Sequence, residues 1–140
     1  MLHLMKLAVG VRDPDHLAAL QAERARTAPP LRHLTRNHPR RAAEVVDGGS
    51  LYWVIGGSLL VRQRILDIRA AADQDGPART ALVLDPALVA LVGRPTRPFQ
   101  GWRYLRAEDA PADLHTDPAA PDATALPAAL QRQLRALGLL

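Results

Sequence analysis

The stretch GGSLYWVIGGSLLVRQRIL, residues 48–66, decides the fold class of this chain. Ser50–Ile55 and Leu59–Ile68 are rich in β-branched, aromatic and leucine side chains, and Gly56-Gly57-Ser58 separates them. That pattern predicts an antiparallel hairpin with a tight glycine turn. On an alternating strand Leu51, Trp53 and Ile55 share one face, while Ser50, Tyr52 and Val54 share the other. Trp53 keeps core company and is expected to be core, which leaves Tyr52 for a ligand cleft. A late echo, RPFQGWRYL at residues 97–105, carries the remaining aromatics, so Tyr52, Trp53, Phe99, Trp102 and Tyr104 all fall in these two segments. Trp102 and Tyr104 share a face, with Arg103 opposite.

Working outward, residues 2–9 read as a first strand. Asp13-Pro14 opens a helix, with Asp as cap and Pro in the first turn. Leu17, Leu20 and Ala25 form its stripe to about Arg26, and Pro29-Pro30 ends it. Residues 31–36 read as extended. Pro39 opens a shorter helix through Val46, stopped by Gly48-Gly49. Beyond the hairpin, residues 73–77 turn the chain into a strand at Arg79–Leu84, which Asp85-Pro86 breaks. Leu88–Val92 fits a strand or a helical turn, and residues 102–105 a closing strand. Together these predict an α+β domain over residues 1–106, with a small curved antiparallel sheet or pseudo-barrel and flanking helices. Residues 107–124 read as an acidic, proline-containing linker. Residues 125–140 read as a C-terminal helix, with Leu126, Leu130, Leu134 and Leu137 at helical spacing.

A chain of 140 residues with 48% apolar content can bury a core as one domain. It has no cysteine, which excludes disulfides and thiolate metal sites and fits a reducing cytoplasm. The opening MLHLMKLAVGV holds its lysine within the apolar run rather than before it, so it reads as a strand and not a secretory signal. No apolar run approaches the roughly 20 residues of a membrane helix. A cytoplasmic protein without a membrane partner is expected. The net charge of +4 is unevenly spread: residues 1–106 hold 16 basic and 9 acidic residues, residues 107–140 hold 2 and 5. A basic body with an acidic tail points to a polyanionic partner, and to a tail able to screen the same surface.

Residues 24–41 concentrate this charge. They contain Arg24, Arg26, Arg32, Arg36, Arg40 and Arg41 with His33 and His38, and no acid. Guanidinium groups suit bidentate phosphate contacts, and Pro39-Arg40-Arg41 falls at an expected helix start, where free N–H groups favour an anion. The alternative is a basic loop paired with the acidic tail. Gly48-Gly49 before Ser50 permits close backbone approach, which a ligand pocket or a turn would use. Signals for catalysis are weak: Ser50 lies in no nucleophile elbow, and no phosphate-binding loop occurs. The five histidines lack ligand spacing, so neither a metal nor a cofactor is expected. Asp73-x-Asp75-Gly76 begins like a calcium loop, but Leu84 stands where the closing glutamate belongs, so it reads as a hairpin turn.

The segments HLMKLAVGV, TRNHPRRAAEVVDGGSLYWVI, RQRIL, LVLDPALV and RPFQGWRYLRAEDAP resemble an uncharacterised bacterial family known only as a domain of unknown function. The resemblance runs from about residue 2 to residue 114, and the tail beyond looks particular to this chain. At the level of size and element order, the chain is also similar to the compact barrels of the pseudouridine-synthase-and-archaeosine-transglycosylase type, which read modified bases with aromatics and arginines around one cleft. Non-catalytic nucleic-acid binding, RNA ahead of DNA, is therefore the expected function. Arg36, Arg40, Arg41, Arg62, Arg64 and Arg103 would hold phosphates, Tyr52 or Trp102 would stack a base, and Ser50 and Gln100 would bond a base edge. The alternatives are an enzyme acting on an anionic small molecule or nucleotide, with Asp47, Glu44 or His38 as acid or base, and a protein-interaction module docking through its C-terminal helix.

Overall fold

The computed structural model describes residues 1–72 and 78–114. The chain runs β1 (Leu2–Leu7), α1 (Pro14–Thr27), β2 (Arg32–Thr35), α2 (Ala42–Val46), β3 (Ser50–Ile55), β4 (Ser58–Ala72), β5 (Ala78–Leu84), β6 (Val89–Pro95) and β7 (Trp102–Arg106). The fold is α+β, with the strands in the order β2-β5-β4-β3-β1-β7 and β6 added on β4. The 48–66 hairpin forms as its sequence dictates. Gly56 and Gly57 take φ of +59° and +84°, and Ile55 pairs with Ser58, so Ser58 begins β4 rather than completing the turn. Glycine adopts two successive left-handed conformations at little cost.

One departure from the expected antiparallel sheet follows from connectivity. β1 pairs with β3 in parallel, because α1, β2 and α2 form the long crossover that a parallel pair needs. The sheet is therefore mixed rather than antiparallel. It is also not closed into a barrel: β2 pairs with β5, β7 pairs with β1, and the two ends of the order do not pair with each other. The sheet is nevertheless curved. β4 hands its partner from β6 to β5 around an irregularity at Ile65–Asp67. Leu91 of β6 and Leu105 of β7, at opposite margins of five strands, join one apolar cluster with Tyr52, Val54, Leu59 and Phe99.

Both faces of β3 are consequently interior. The second cluster lies on the other face, where Leu4, Leu51, Trp53 and Ile55 pack with Leu17 of α1, Val45 of α2 and Leu82 of β5. Asp13 caps α1 by accepting the His16 N–H at 2.7 Å, and the helix buries Leu17 and Gln21, with Leu20 and Ala25 only half-buried. The glutamine is unexpected in a core and is held by a closed network. Gln21 and Gln63 exchange amide hydrogen bonds at 2.6 and 2.7 Å, Trp53 Nε1 donates to Gln63 Oε1 at 2.8 Å, and Gln63 donates to the Asp85 carbonyl at 3.0 Å.

α2 starts at Ala42 and not at Pro39, because Pro39 is fully buried and residues 40–41 form a turn. Gly49 does serve close approach, but to the protein's own backbone: a Cβ there would overlap the carbonyl oxygens of Leu2 and Val45. Leu88–Val92 resolves as a strand. The first eight residues of the expected linker pack on the sheet: Ala107–Asp109 form a 3-10 turn, Asp113 bridges Leu91, and the Val92 N–H and Ala90 carbonyl bond Ala112 and Leu114. The 73–77 turn, the rest of the linker and the 125–140 helix lie outside the described residues.

Candidate nucleic-acid interface

A cleft of about 560 Å³ lies along the seam between β2, on the side away from β5, and the β1–β7 margin. It is lined by the cations Lys6 of β1, Arg36 just past β2 and Arg79 of β5, together with Gln100 and Trp102, and with Thr35, Asn37 and Gly101. Among the described residues no carboxylate lines it. Sheet register explains the lysine and the tryptophan: Lys6 stands opposite Trp102 on β7 and opposite Trp53 on β3, so all three share a face. Burial of the Lys6 ammonium pushes its pKa below the usual lysine range. Side-chain bonds tie the seam together at one end. Trp102 Nε1 donates to the Asn37 carbonyl at 2.9 Å, and the Arg41 N–H donates to the Tyr104 hydroxyl at 3.1 Å. Trp102 meets Tyr104 edge-on at 4.9 Å.

Of the ten residues expected at the site, this cleft brings together Arg36, Gln100 and Trp102. Arg40 is exposed but does not line it. Arg41 is bonded to Glu44 at 2.5 and 2.9 Å and sits 5.8 Å from the Tyr104 ring centre. Its N–H, expected free at a helix start, is taken by Tyr104. Arg64 donates to the Val46 carbonyl, and Arg103 lies 5.3 Å from the Phe99 ring centre on the opposite face.

Ser50, Tyr52 and Arg62 form a separate group. Tyr52 is only 4% exposed and Ser50 fully buried, contrary to the expectation that this face of β3 lines a cleft. The physical reason is the curl of the sheet, which closes Phe99, Leu91 and Leu105 over Tyr52. Arg62 grips Asp113 with two bonds of 2.7 Å and donates to Ser50 Oγ at 3.0 Å, while the Ser50 N–H donates to His3 Nδ1 at 2.9 Å. The bond to Asp113 raises the Arg62 pKa, while burial and the Arg62 charge hold His3 below its ordinary value. An acid from the start of the acidic segment thus occupies one of the arginines.

The chain belongs to a family of unknown function. The matching family is described as "Protein of unknown function (DUF1489)", and the match spans residues 4–140. The tail beyond residue 114, expected to be particular to this chain, is therefore part of the DUF1489 pattern. No curated protein and no solved structure matches the chain. Among the described residues no cluster of three His, Asp or Glu is placed to hold a metal, and no helix is long and apolar enough to cross a membrane.

Sequence reasoning missed Lys6 and Arg79. Lys6 had a visible signal, a single charge inside an otherwise apolar strand. Arg79 had none, since only the pairing of β5 with β2 brings it to the seam.

Proposed function

We propose that this DUF1489 protein binds single-stranded nucleic acid, RNA ahead of DNA, along the β1–β2 seam. The observation that carries this reading is a cleft lined, among the described residues, by three cations and no carboxylate, together with a half-buried tryptophan and an exposed glutamine. Lys6, Arg36 and Arg79 face phosphates, Trp102 offers a ring for stacking, and Gln100 offers both donor and acceptor to a base edge. The cleft suits one or two nucleotides rather than a duplex, and unstacked bases are the form in which RNA is read by sequence. None of Glu44, Asp47 and His38, the acid–base candidates of the enzymatic reading, lines the cleft.

The test is a titration of labelled single-stranded RNA, single-stranded DNA and duplex at two salt concentrations. Lys6→Gln, Arg36→Gln and Arg79→Gln combined should weaken binding and flatten the salt dependence by about one unit of slope per lost phosphate contact. A folded triple variant with the wild-type slope would refute the reading.

A further inference from the structure

A second cavity of about 280 Å³ continues the seam on the other side of Lys6, and Lys6 and Leu34 line both spaces. Its walls are apolar, from Leu17 and Leu20 of α1, Leu34 of β2 and the Trp53 ring. Two cations, Lys6 and Arg24, line it as well. His33 meets Trp53 edge-on at 5.1 Å, and its Nε2 is buried with no hydrogen-bond partner among the described residues. A buried polar atom left unpaired costs free energy, and such atoms are uncommon in folded proteins. The network around Trp53 makes the contrast plain, because every polar atom of Gln21, Gln63 and Trp53 there is paired.

A ligand that satisfies this cavity needs a flat body for the apolar walls, one polar edge atom for His33 Nε2, and an anion for Lys6 and Arg24. A nucleotide has all three. An aliphatic carboxylate has a flexible body and places its only polar atoms at the charge. We propose that this cavity receives one unstacked nucleobase, its edge bonded to His33 Nε2 and its phosphate held between Lys6 and Arg24. The inference rests on the reading of the seam as a nucleic-acid cleft and assigns it a base-reading pocket. A neutral imidazole can donate or accept at Nε2, and burial beside two cations keeps His33 neutral, with its pKa pulled down to about 4.

The test pairs a pocket readout with a strand readout. Histidine ring ¹⁵N spectra are followed during titration with each of the four ribonucleoside 5′-monophosphates and with octanoate. In parallel, a labelled single-stranded RNA and a series carrying one abasic position each are titrated against wild type, His33→Phe and Leu20→Trp. Phe keeps the ring on Trp53 without the nitrogen, and Trp at position 20 narrows the cavity from a half-buried helix position. The expected result is a shift of the His33 Nε2 signal with at least one nucleotide and not with octanoate. One abasic position should then cost about tenfold in affinity, a penalty that disappears in both variants. Full-affinity binding of every abasic strand, with an unmoved His33 signal, overturns the pocket and leaves the seam reading intact. A nucleotide-dependent shift without any strand binding supports the pocket and overturns the seam reading. A shift with octanoate alone overturns the assignment to a base.

Discussion

His33→Phe should remove a large part of the protein's sensitivity to mild acid. In the folded protein burial, with Lys6 and Arg24 nearby, pulls the His33 pKa from 6.5 down to about 4. The unfolded chain therefore binds a proton between these values that the folded chain refuses, so stability present above pH 6.5 is lost as the pH falls. With those two pKa values the loss is about 0.8 kcal/mol at pH 6, about 2 at pH 5 and about 3 at pH 4, and it levels off below that. Other groups titrate in the same range, His3 among them, because burial and Arg62 lower its pKa too. Those contributions are common to both proteins and cancel in the difference. The assay is urea unfolding of wild type and variant at pH 7, 6, 5 and 4. Repacking shifts the variant by a constant amount, whereas proton linkage makes the gap change with pH. The gap between the two should move in the variant's favour by about 3 kcal/mol from pH 7 to pH 4. A gap independent of pH would show that His33 protonates in the folded state, and would refute its description as a buried neutral imidazole.

Gln63→Leu leaves the Trp53 N–H and both amide atoms of Gln21 without partners in the core, so denaturant unfolding should register a loss of about 2–4 kcal/mol. Adding Gln21→Leu should recover part of that loss, since removing both ends of a buried polar pair costs less than removing one. Gly49→Ala forces a methyl onto the Leu2 and Val45 carbonyls, and a thermal melt should show a destabilisation of more than about 3 kcal/mol or no folded protein. Asp113→Ala leaves the part-buried Arg62 guanidinium with Ser50 as its side-chain partner, which should cost about 1–2 kcal/mol. The same change should speed amide exchange at Leu114, whose N–H bonds the Ala90 carbonyl on β6.

Local chemistry was the legible part of this fold. Asp13-Pro14, Pro29-Pro30 and Gly56-Gly57 each act through one or two residues' own conformational limits, and each punctuates the chain where those limits say it must. The alternation of β3 placed Trp53 in the core, which it is. The same alternation could not say that the other face would be covered too. Whether Tyr52 meets water depends on how far the sheet curls, and that is set by Leu91, Phe99 and Leu105, residues 39 or more positions away. Parallel pairing of β1 with β3 was hidden for the same reason. It follows from where the chain goes between them, not from the composition of either strand.

The candidate site shows how that curl redistributes function. A strand pair rich in aromatics suggested that the ligand would meet the hairpin itself, but a curved sheet with two interior faces buries its central strands on both sides. The cleft lies instead beside β2, a strand of four residues at one end of the described strand order. The residues at this seam come from four separate segments, β1, the end of β2, β5 and the approach to β7, so the arginine cluster at 24–41 contributes only in part. Arg36 lines the main cleft and Arg24 the adjoining cavity, while Arg41 and Arg26 are bonded to Glu44 and Glu23 one helical turn away. Lys6 is the residue that unites the seam. It is the one charge in β1, it stands in register between Trp53 and Trp102, and it lines both cavities. A lone lysine placed inside a strand against the demand of burial has a cost in desolvation, and a bound anion on the same face would offset it.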